Sequence, residues 1–363
     1  MSDYLIGKAE PFRPDAERLT SPADVLVADA IALYAADRSP HLADPVSSGI
    51  RLAALLEFFG TSTLASVNRT NCQAYLAHRI SQPIKSFKNP ETARRVSEQA
   101  VIRELEDLSA VIGWWDAEHR LTRPIKVWRP AKPDSPRDAL TRKEAAHLLK
   151  AARGNRLVHG RWKTLPPSSR SNRRHLSRML LLGLYTGTRP GVLTRLRWHP
   201  SDTEPWIDLE GGWMRRRGRL ERDQPTKRRP ICRLPRRLHA HLVRWHALDE
   251  AESRDRARRG LPSIKTVIHH GGRPLAGRIR RSFASAVRDA GLSEQTTPHW
   301  LRHTAATWLV ANPKVELSEA AQYLGMTVET LVKHYNHHRP DFLAAASKAL
   351  SQPSTAAHRS SPH

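Results

Sequence analysis

Cysteine is almost absent from the sequence, with only Cys72 and Cys232 among 363 residues. The two are isolated from each other and from any metal-ligand pattern. This argues against a disulfide framework or a structural zinc site and is typical of a protein in a reducing cytosol.

Long apolar runs are also lacking, since none reaches the roughly 18 residues of a membrane-spanning helix. The first residues do not follow the basic, apolar and small-residue order of a signal peptide. We therefore expect a cytoplasmic protein without a membrane partner.

Acidic residues are scarce beside basic ones. The sequence has 35 Asp and Glu against 60 Lys and Arg, which gives a formal net charge of +25. This excess is far greater than solubility requires and predicts a polyanionic partner such as nucleic acid. Composition alone leaves open a basic protein that binds anions only incidentally.

Changes in composition along the chain predict five segments. Proline and basic residues dominate a stretch after residue 122, and a Thr141-Arg-Lys-Glu144 capping box directly after it opens a new domain. The last residues are rich in Ser, Pro and His without periodicity, which is typical of disorder. The predicted segments are a loose arm over 1–20, a helical domain over 21–122, a basic Pro-rich linker over 123–139, a second domain over 140–350 and a disordered tail over 351–363.

Apolar periodicity predicts that the first domain is helical. One helix should end at Gly60, and a second should run from about residue 92 to His119. The apolar residues that recur at helical spacing in the first helix are Leu52, Leu55, Leu56 and Phe59. Those in the second are Leu105, Leu108 and Ile112.

The second domain is predicted to combine helices with a small sheet. A helix over about 172–185 leads into a Thr-Gly turn. Residues 206–215 are typical of two short strands around a Gly-Gly turn, and residues 230–234 of a third strand. Helices return from Pro235 onward, interrupted by a turn at 270–272. The predicted fold class is therefore mainly α with a small antiparallel β-sheet (α+β).

The segment Thr297-Pro-His-Trp-Leu-Arg-His303 concentrates basic side chains. Thr297 is a good N-cap and Pro298 suits the first helical position, so a helix is predicted to start here. His299, Arg302 and His303 then share one helical face that points at a ligand or at solvent. Basic groups at a helix N-terminus suit a phosphate oxyanion.

Together with three other motifs, this segment resembles the tyrosine recombinases, also called the phage integrase family. The family's His-x-x-Arg box is here His299 and Arg302. Its first arginine follows a Thr-Gly turn, as Arg189 does, and its lysine lies in a hairpin before a Pro-rich return, as Lys227 does. Its nucleophile lies nine residues after the last residue of a Leu-Gly-x turn. Here that turn ends at Met326, and Tyr335 lies nine residues later. The ordered set is specific although each motif alone is weak.

The resemblance implies a metal-free and cofactor-free site that cuts and rejoins double-stranded DNA. Tyr335 would attack the phosphate and hold the strand as a 3′-phosphotyrosine, so that ligation needs no ATP. Arg189 and Arg302 would bind the non-bridging oxygens with planar forks. Lys227 would protonate the departing 5′ oxygen, and His299 would accept the tyrosine proton or stabilise the transition state, with His303 in support.

The family also implies an N-terminal core-binding domain and a C-terminal catalytic domain that clamp the duplex, and a homotetramer acting on two DNA sites. The C-terminal segment after Tyr335 would then dock on a neighbouring protomer. Packing of that segment on its own domain is an equal alternative.

Two positions depart from the family pattern. Val192 stands where many members carry a carboxylate, and Met326 stands where many carry His or Trp in support of the phosphate. Methionine packs like tryptophan but donates no hydrogen bond. The main catalytic set remains, so activity is expected.

Each assignment has a simpler alternative. Tyr335 could be a surface residue at a helix end, Arg189 could merely cap a helix that starts at Pro190, and Lys227 could belong to a solvated basic hairpin. The histidines of residues 334–338 could suggest metal ligands, but no carboxylate or cysteine has the spacing, so exposure or a DNA-facing position is favoured. The arginines predicted to contact the phosphate backbone rather than bases are Arg215, Arg216, Arg217, Arg228 and Arg229.

Two other functions remain open at this point. One is a non-catalytic DNA-binding protein with the recombinase fold, which the departures at Val192 and Met326 would allow. The other is a metal-dependent nuclease or transposase, which needs clustered carboxylates. Carboxylates are sparse near the arginine and histidine motifs, so this alternative is disfavoured.

Overall fold

The computed structural model describes residues 19–42, 44–84, 93–131, 138–222, 228–275, 279–339 and 342–351. The chain divides into two compact units, Met1–Ser135 and Pro136–His363. Most of the predicted arm and all but the first residue of the predicted tail lie outside the described residues. Within the described part, no helix is both long and apolar enough to cross a bilayer.

The described residues of the first unit form four α-helices around an apolar core. The helices are α1 (Val27–Asp37), α2 (Pro45–Phe59), α3 (Arg69–Ser81) and α4 (Glu98–His119). The two periodic stretches predicted from sequence are α2 and the later part of α4, and their apolar residues are buried except for Leu56. Helix α4 begins at Glu98 rather than near residue 92, because the Ser97 side chain accepts a hydrogen bond from the Ala100 N–H and caps the helix there.

Gly60 follows α2, but not in the left-handed conformation expected of a terminating glycine. Its φ is −56°, in the right-handed helical region. A Cβ at this position would lie 2.6 Å from the carbonyl oxygen of Leu56. Close approach to the backbone, rather than backbone handedness, therefore explains the glycine.

Part of the predicted linker packs on the first unit. Val127 is 5% exposed and belongs to the apolar core of that unit, with Ile125 and Trp128 packed against it. Residues 132–137, which hold most of the remaining linker, lie outside the described residues. The prediction of an interdomain linker took account of the prolines and basic residues but not of the apolar side chain of Val127, which packs into the first unit.

The predicted capping box opens the first described helix of the second unit. The Glu144 N–H donates to the Thr141 hydroxyl, and the Glu144 carboxylate accepts from the Thr141 N–H at 2.8 Å. The helices that follow are α5 (Arg142–Ala152), α6 (Pro167–Ser171), α7 (Arg174–Thr186), α8 (Pro190–Leu193), α9 (Arg236–Arg258), α10 (Ile279–Asp289), α11 (Trp300–Val310), α12 (Leu317–Leu324), α13 (Val328–Tyr335) and α14 (Ala344–Ser351).

Short antiparallel strands accompany these helices. The predicted three-stranded sheet is present, with Ile207 opposite Met214 and Met214 opposite Cys232. Two further two-stranded hairpins were not predicted from the sequence. Each has two residues with positive φ in its turn, His159-Gly160 in one and Gly271-Gly272 in the other. The strands are β1 (Asn155–Val158), β2 (Arg161–Thr164), β3 (Trp206–Asp208), β4 (Trp213–Arg215), β5 (Cys232–Arg233), β6 (His269–His270) and β7 (Arg273–Pro274). The fold is thus mainly helical with small antiparallel sheets, as predicted.

Helices α7 and α11 pack closely in the core of the second unit. A Cβ at Gly183 of α7 would come within 2.8 Å of the Leu301 side chain on α11, so only glycine permits this approach. The contact brings the turn after α7, which carries Arg189, next to the first turn of α11, which carries Arg302.

Candidate active site

Tyr335 is the last residue of α13 and is buried, with 2% of its surface exposed. The helix is capped by Thr327, whose hydroxyl accepts a hydrogen bond from the Thr330 N–H at 3.2 Å. The Tyr335 hydroxyl lies 2.5 Å from Nδ1 of His303 on α11. The phenol is therefore held in a defined position against an imidazole that can take its proton.

His299 and His303 lie one above the other at the start of α11. Their ring centroids are 4.9 Å apart with the rings nearly perpendicular, and His299 is exposed. The regular helix begins at Trp300, not at Pro298 as predicted. The preceding turn is tighter, since the Trp300 N–H donates to the Thr297 carbonyl three residues back.

Of the two predicted surroundings for this helical face, a ligand or solvent, the structure disfavours solvent for Arg302. It is 6% exposed. Its Nη1 donates to the carbonyl oxygens of Gly187 at 2.8 Å and Leu324 at 2.7 Å. These carbonyls terminate α7 and α12, and a cation at the C-terminal ends of two helices is favoured by their dipoles. Arg302 thus joins the Arg189 turn to the turn that precedes α13.

Arg189 occupies the N-cap position of α8, as the simpler alternative proposed, but its side chain makes no capping bond. The guanidinium instead donates from Nη1 to the carbonyl oxygen of Arg228 at 3.1 Å. Arg189 is half-buried. The side chain therefore reaches the segment that directly follows Lys227, while Lys227 itself lies outside the described residues.

Arg216 was predicted to contact the DNA backbone, and its position contradicts this. It is 3% exposed and follows β4. Its guanidinium donates to the Thr188 hydroxyl at 2.8 Å, and to the carbonyl oxygens of Tyr323 and Thr186, each at 2.6 Å. All of these donors point into the protein. Like Arg302, Arg216 therefore connects the C-terminal end of α7 to the C-terminal end of α12. Arg216 lies two residues after the fully buried Met214, and side chains two residues apart along extended backbone point to the same side.

The three arginines form a concentrated positive charge. Burial, followed by the charges of Arg189 and Arg216, lowers the pKa of Arg302 to about 9. Burial also lowers the pKa of Arg189, with Arg229 and Arg216 contributing, and burial lowers that of Arg216. Among the salt bridges between described residues, none joins these arginines to a carboxylate. With a pKa of about 9, Arg302 remains protonated at neutral pH, so the site is electrostatically suited to a phosphate.

The other predicted phosphate contacts lie closer to the surface. Arg228 is exposed, whereas Arg229 forms an ion pair with Glu221. Arg215 and Arg217 are partly buried, with the Arg215 guanidinium 5.4 Å from the centre of the Trp206 ring. Arg228 is the best placed of this group for a backbone phosphate.

Residues 139–341 match the sequence model of the phage integrase family over more than half of the chain. The chain belongs to the phage integrase family. The family is one of site-specific DNA recombinases, and this activity follows from membership. No curated protein sequence matches the chain.

Solved structures of other phage integrase-type proteins show the same fold. A Tn1549 transposon integrase in complex with transposon right-end DNA is 15% identical, with a TM-score of 0.61, covering 90% of this chain and 100% of that one. A lambda integrase tetramer bound to a Holliday junction is 18% identical, with a TM-score of 0.56, covering 94% of this chain and 84% of that one. The likeness extends over both units of the present chain.

The two departures from the phage integrase pattern are explained by packing. Val192 is 5% exposed, and a carboxylate at a buried position is costly unless it is paired. Met326 packs against the apolar cluster that contains Leu331 and Tyr335. It can therefore support the tyrosine through van der Waals contact rather than through a hydrogen bond.

The sequence of this phage integrase did not reveal the positions of two residues, His303 and Arg216. His303 was predicted only to support His299, although it is the imidazole that contacts Tyr335. Arg216 was grouped with surface arginines. Its burial could have been anticipated only from the alternation along β4, where Met214 is fully buried and Arg215 is not.

Proposed function

We propose that the chain cuts and rejoins DNA through a 3′-phosphotyrosine on Tyr335, without metal or ATP. The observation that carries the proposal is the buried Tyr335 hydroxyl, held 2.5 Å from His303 beside three clustered arginines. The phenol supplies a nucleophile, the imidazole a proton acceptor and the guanidinium groups the charge that a phosphorane requires.

The reaction would proceed in two exchanges at phosphorus. The Tyr335 oxygen forms a bond to the phosphate as the 5′ oxygen of the next nucleotide leaves with a proton. We assign this proton to Lys227, which lies outside the described residues. Rejoining reverses the step, when a 5′ hydroxyl attacks the phosphotyrosine and Tyr335 recovers its proton. The ester bond conserves the free energy, so ligation needs no nucleotide cofactor.

We assign the proton from Tyr335 to His303 rather than to His299. A general base must lie within hydrogen-bonding distance of the group that it deprotonates, and the Nδ1 of His303 does. The His299 ring packs edge-to-face against that of His303 and is exposed. His299 would then bind the phosphate oxygens or orient the ring of His303.

Covalent trapping in the presence of EDTA tests the proposed function. The DNA that flanks the gene should supply the recombination site, and a nicked duplex of that site lets the leaving strand diffuse away. We expect a covalent protein–DNA adduct that forms equally well with and without EDTA. Tight binding without any adduct would favour a non-catalytic DNA-binding protein, and cleavage abolished by EDTA would favour a metal-dependent nuclease.

Replacing His303 tests its role as proton acceptor. His303→Ala should lower the rate of adduct formation by about 10²-fold at neutral pH, the usual scale for a general base. Raising the pH should restore part of the rate, because hydroxide can then deprotonate the phenol unaided. The measurement is the pH–rate profile of His303→Ala beside that of His299→Ala. If only the His299 variant shows recovery at high pH, the two roles are reversed.

We further propose that the chain assembles as a homotetramer on two DNA sites, in the cytoplasm at the nucleoid. The lambda integrase structure is a tetramer on a Holliday junction. In the present chain, residues 342–351 follow Tyr335 closely and leave large apolar side chains exposed: Phe342 at 42% and Leu343 at 63% just before α14, and Leu350 at 90% within it. Of the two alternatives for this segment, docking on a neighbouring protomer therefore has more support than packing on its own unit.

Removal of the C-terminal segment should separate assembly from folding. Truncation after Arg339 is expected to leave the monomer folded and able to bind DNA, while higher-order complexes and strand exchange are lost. Leu350→Asp should have the same effect in a full-length chain, and Lys348→Ala on the same helix is the control. Gel-shift stoichiometry and a recombination assay measure the outcome. Normal recombination by both altered proteins would contradict docking between protomers.

A further inference from the structure

Three metal-ligating side chains meet in the second unit at residues that have no part in the proposed DNA chemistry. His246 and Glu250 lie one turn apart on α9, and His199 lies between α8 and β3. The potential ligand atoms of the three all lie within 4.8 Å of one another. The Nε2 of His246 and the Oε1 of Glu250 are 3.8 Å apart. Among the described residues, this is the one group with such spacing.

The surrounding structure fixes the residues next to these ligands. Trp198, adjacent to His199, is 3% exposed, and its indole N–H donates to the carboxylate of Asp249 at 2.9 Å. Asp249, adjacent to Glu250, also accepts from both terminal nitrogens of Arg178, at 2.6 and 2.7 Å. The loop and the helix are thus joined immediately beside the three ligands.

The rings are oriented so that the ligand atoms can converge. The imidazoles of His199 and His246 have centroids 5.8 Å apart and planes at 80°. The Trp198 ring packs edge-on against His246, with centroids 5.0 Å apart, which restricts that imidazole. Two nitrogens and one oxygen bound to a tetrahedral ion at about 2.0–2.2 Å would be roughly 3.4 Å apart. Small side-chain rotations suffice to reach this from the 3.8 Å between His246 and Glu250, and from separations of at most 4.8 Å within the whole group.

We propose that His199, His246 and Glu250 bind one divalent transition-metal ion of the zinc class. Two imidazoles and one carboxylate form a donor set suited to such ions, and water can occupy the fourth position. His199 is exposed, so an ion can enter from solvent. The ion connects α9 to the loop that leads into β3, and hence stabilises the sheet from which Arg216 extends. This role is structural and independent of the proposed recombination chemistry.

Metal titration of the full-length chain tests the site. After removal of bound metal with EDTA and dialysis, Zn²⁺ and Co²⁺ are added separately, and stoichiometry, the Co²⁺ absorption spectrum and Tm are measured. We expect one ion per chain, a tetrahedral Co²⁺ spectrum and a higher Tm with Zn²⁺, because an ion that binds only the folded state stabilises it. Binding of no ion would overturn the proposal.

Variants locate the ion. His199→Ala and Glu250→Gln should each abolish the Tm increase and the tetrahedral spectrum; both alter side chains that are at least partly exposed, so the metal-free fold should be retained. His241→Ala, on the same helix and stacked on Trp245, is the matched control and should behave as wild type. Equal binding by the wild type and by both site variants would place the ion elsewhere and overturn the proposal.

A failure of the metal-site proposal can be distinguished from a failure of the proposed recombination chemistry by measuring DNA cleavage with and without the ion. DNA cleavage by the metal-free chain should match that of the zinc-loaded chain at a temperature below both Tm values. Loss of cleavage without metal, together with normal ion binding at His199, would contradict the metal-free chemistry but not the site.

Discussion

Tyr335→Phe is expected to abolish the covalent protein–DNA adduct while leaving DNA affinity unchanged. The substitution removes only the hydroxyl that contacts His303 at 2.5 Å. The ring keeps its place in the apolar cluster with Leu331 and Leu324. Loss of one hydrogen bond costs about 1 kcal/mol, too little to unfold the unit. Adduct formation on a nicked substrate and a gel shift on the same DNA measure the two properties.

A matched tyrosine variant controls for the loss of a hydroxyl in general. Tyr185→Phe alters a partly buried tyrosine on α7 of the same unit and should form the adduct at the wild-type rate. An adduct that persists in Tyr335→Phe would mean that another side chain attacks the phosphate, and the site would have to be reassigned.

Arg302→Lys and Arg189→Lys should each lower the rate of DNA cleavage by ~10²-fold or more, the scale for loss of one transition-state donor. Lysine keeps the charge but cannot present two parallel N–H groups to phosphate oxygens. Arg302→Lys also weakens the connection between the Gly187 and Leu324 carbonyls, so its Tm should fall. Arg189 is less buried and has one such bond, to Arg228. The Arg189 variant therefore reports on chemistry with less effect on folding.

Single-turnover cleavage rates at saturating protein separate chemistry from binding. Arg195→Lys is the control, since Arg195 lies just after α8 and forms an exposed pair with Glu204 at 3.0 Å. Near-normal cleavage by both the Arg302 and Arg189 variants would indicate that these arginines only bind the DNA backbone.

Local sequence signals predicted the features of the fold that depend on local interactions. The Thr141 capping box begins α5 as expected, because both of its hydrogen bonds join residues three apart. The three-stranded sheet followed from its Gly-Gly turn and flanking strands. The β1–β2 hairpin was missed because its turn is His159-Gly160 rather than the Asn-Gly, Asp-Gly or Gly-Gly pair typical of such hairpins.

The candidate site was predictable in its residues but not in its contacts. Spacing selected Arg189, Arg302 and Tyr335 as candidates, yet it could not show that Arg302 is buried against carbonyls contributed by two other segments. The same limit applies to Arg216, whose partners Thr186 and Tyr323 are 30 and 107 residues away. These bonds depend on how helices pack, and helical periodicity reports which face is apolar but not which neighbour covers it.

The pairing of Tyr335 with His303 shows the same limit most clearly. Both histidines of α11 share its polar face in sequence, so the pattern could not distinguish them. Only the approach of α13 to α11 selects His303, 32 residues before the tyrosine.

Mass spectrometry of the trapped adduct tests the central claim most directly. The wild-type chain is reacted with a nicked duplex of its own site in EDTA, the adduct is digested with protease and nuclease, and the modified peptide is sequenced. The account predicts a single nucleotide joined through its 3′ phosphate to Tyr335. A nucleotide on any other residue, or DNA cleaved with no protein attached, would contradict it.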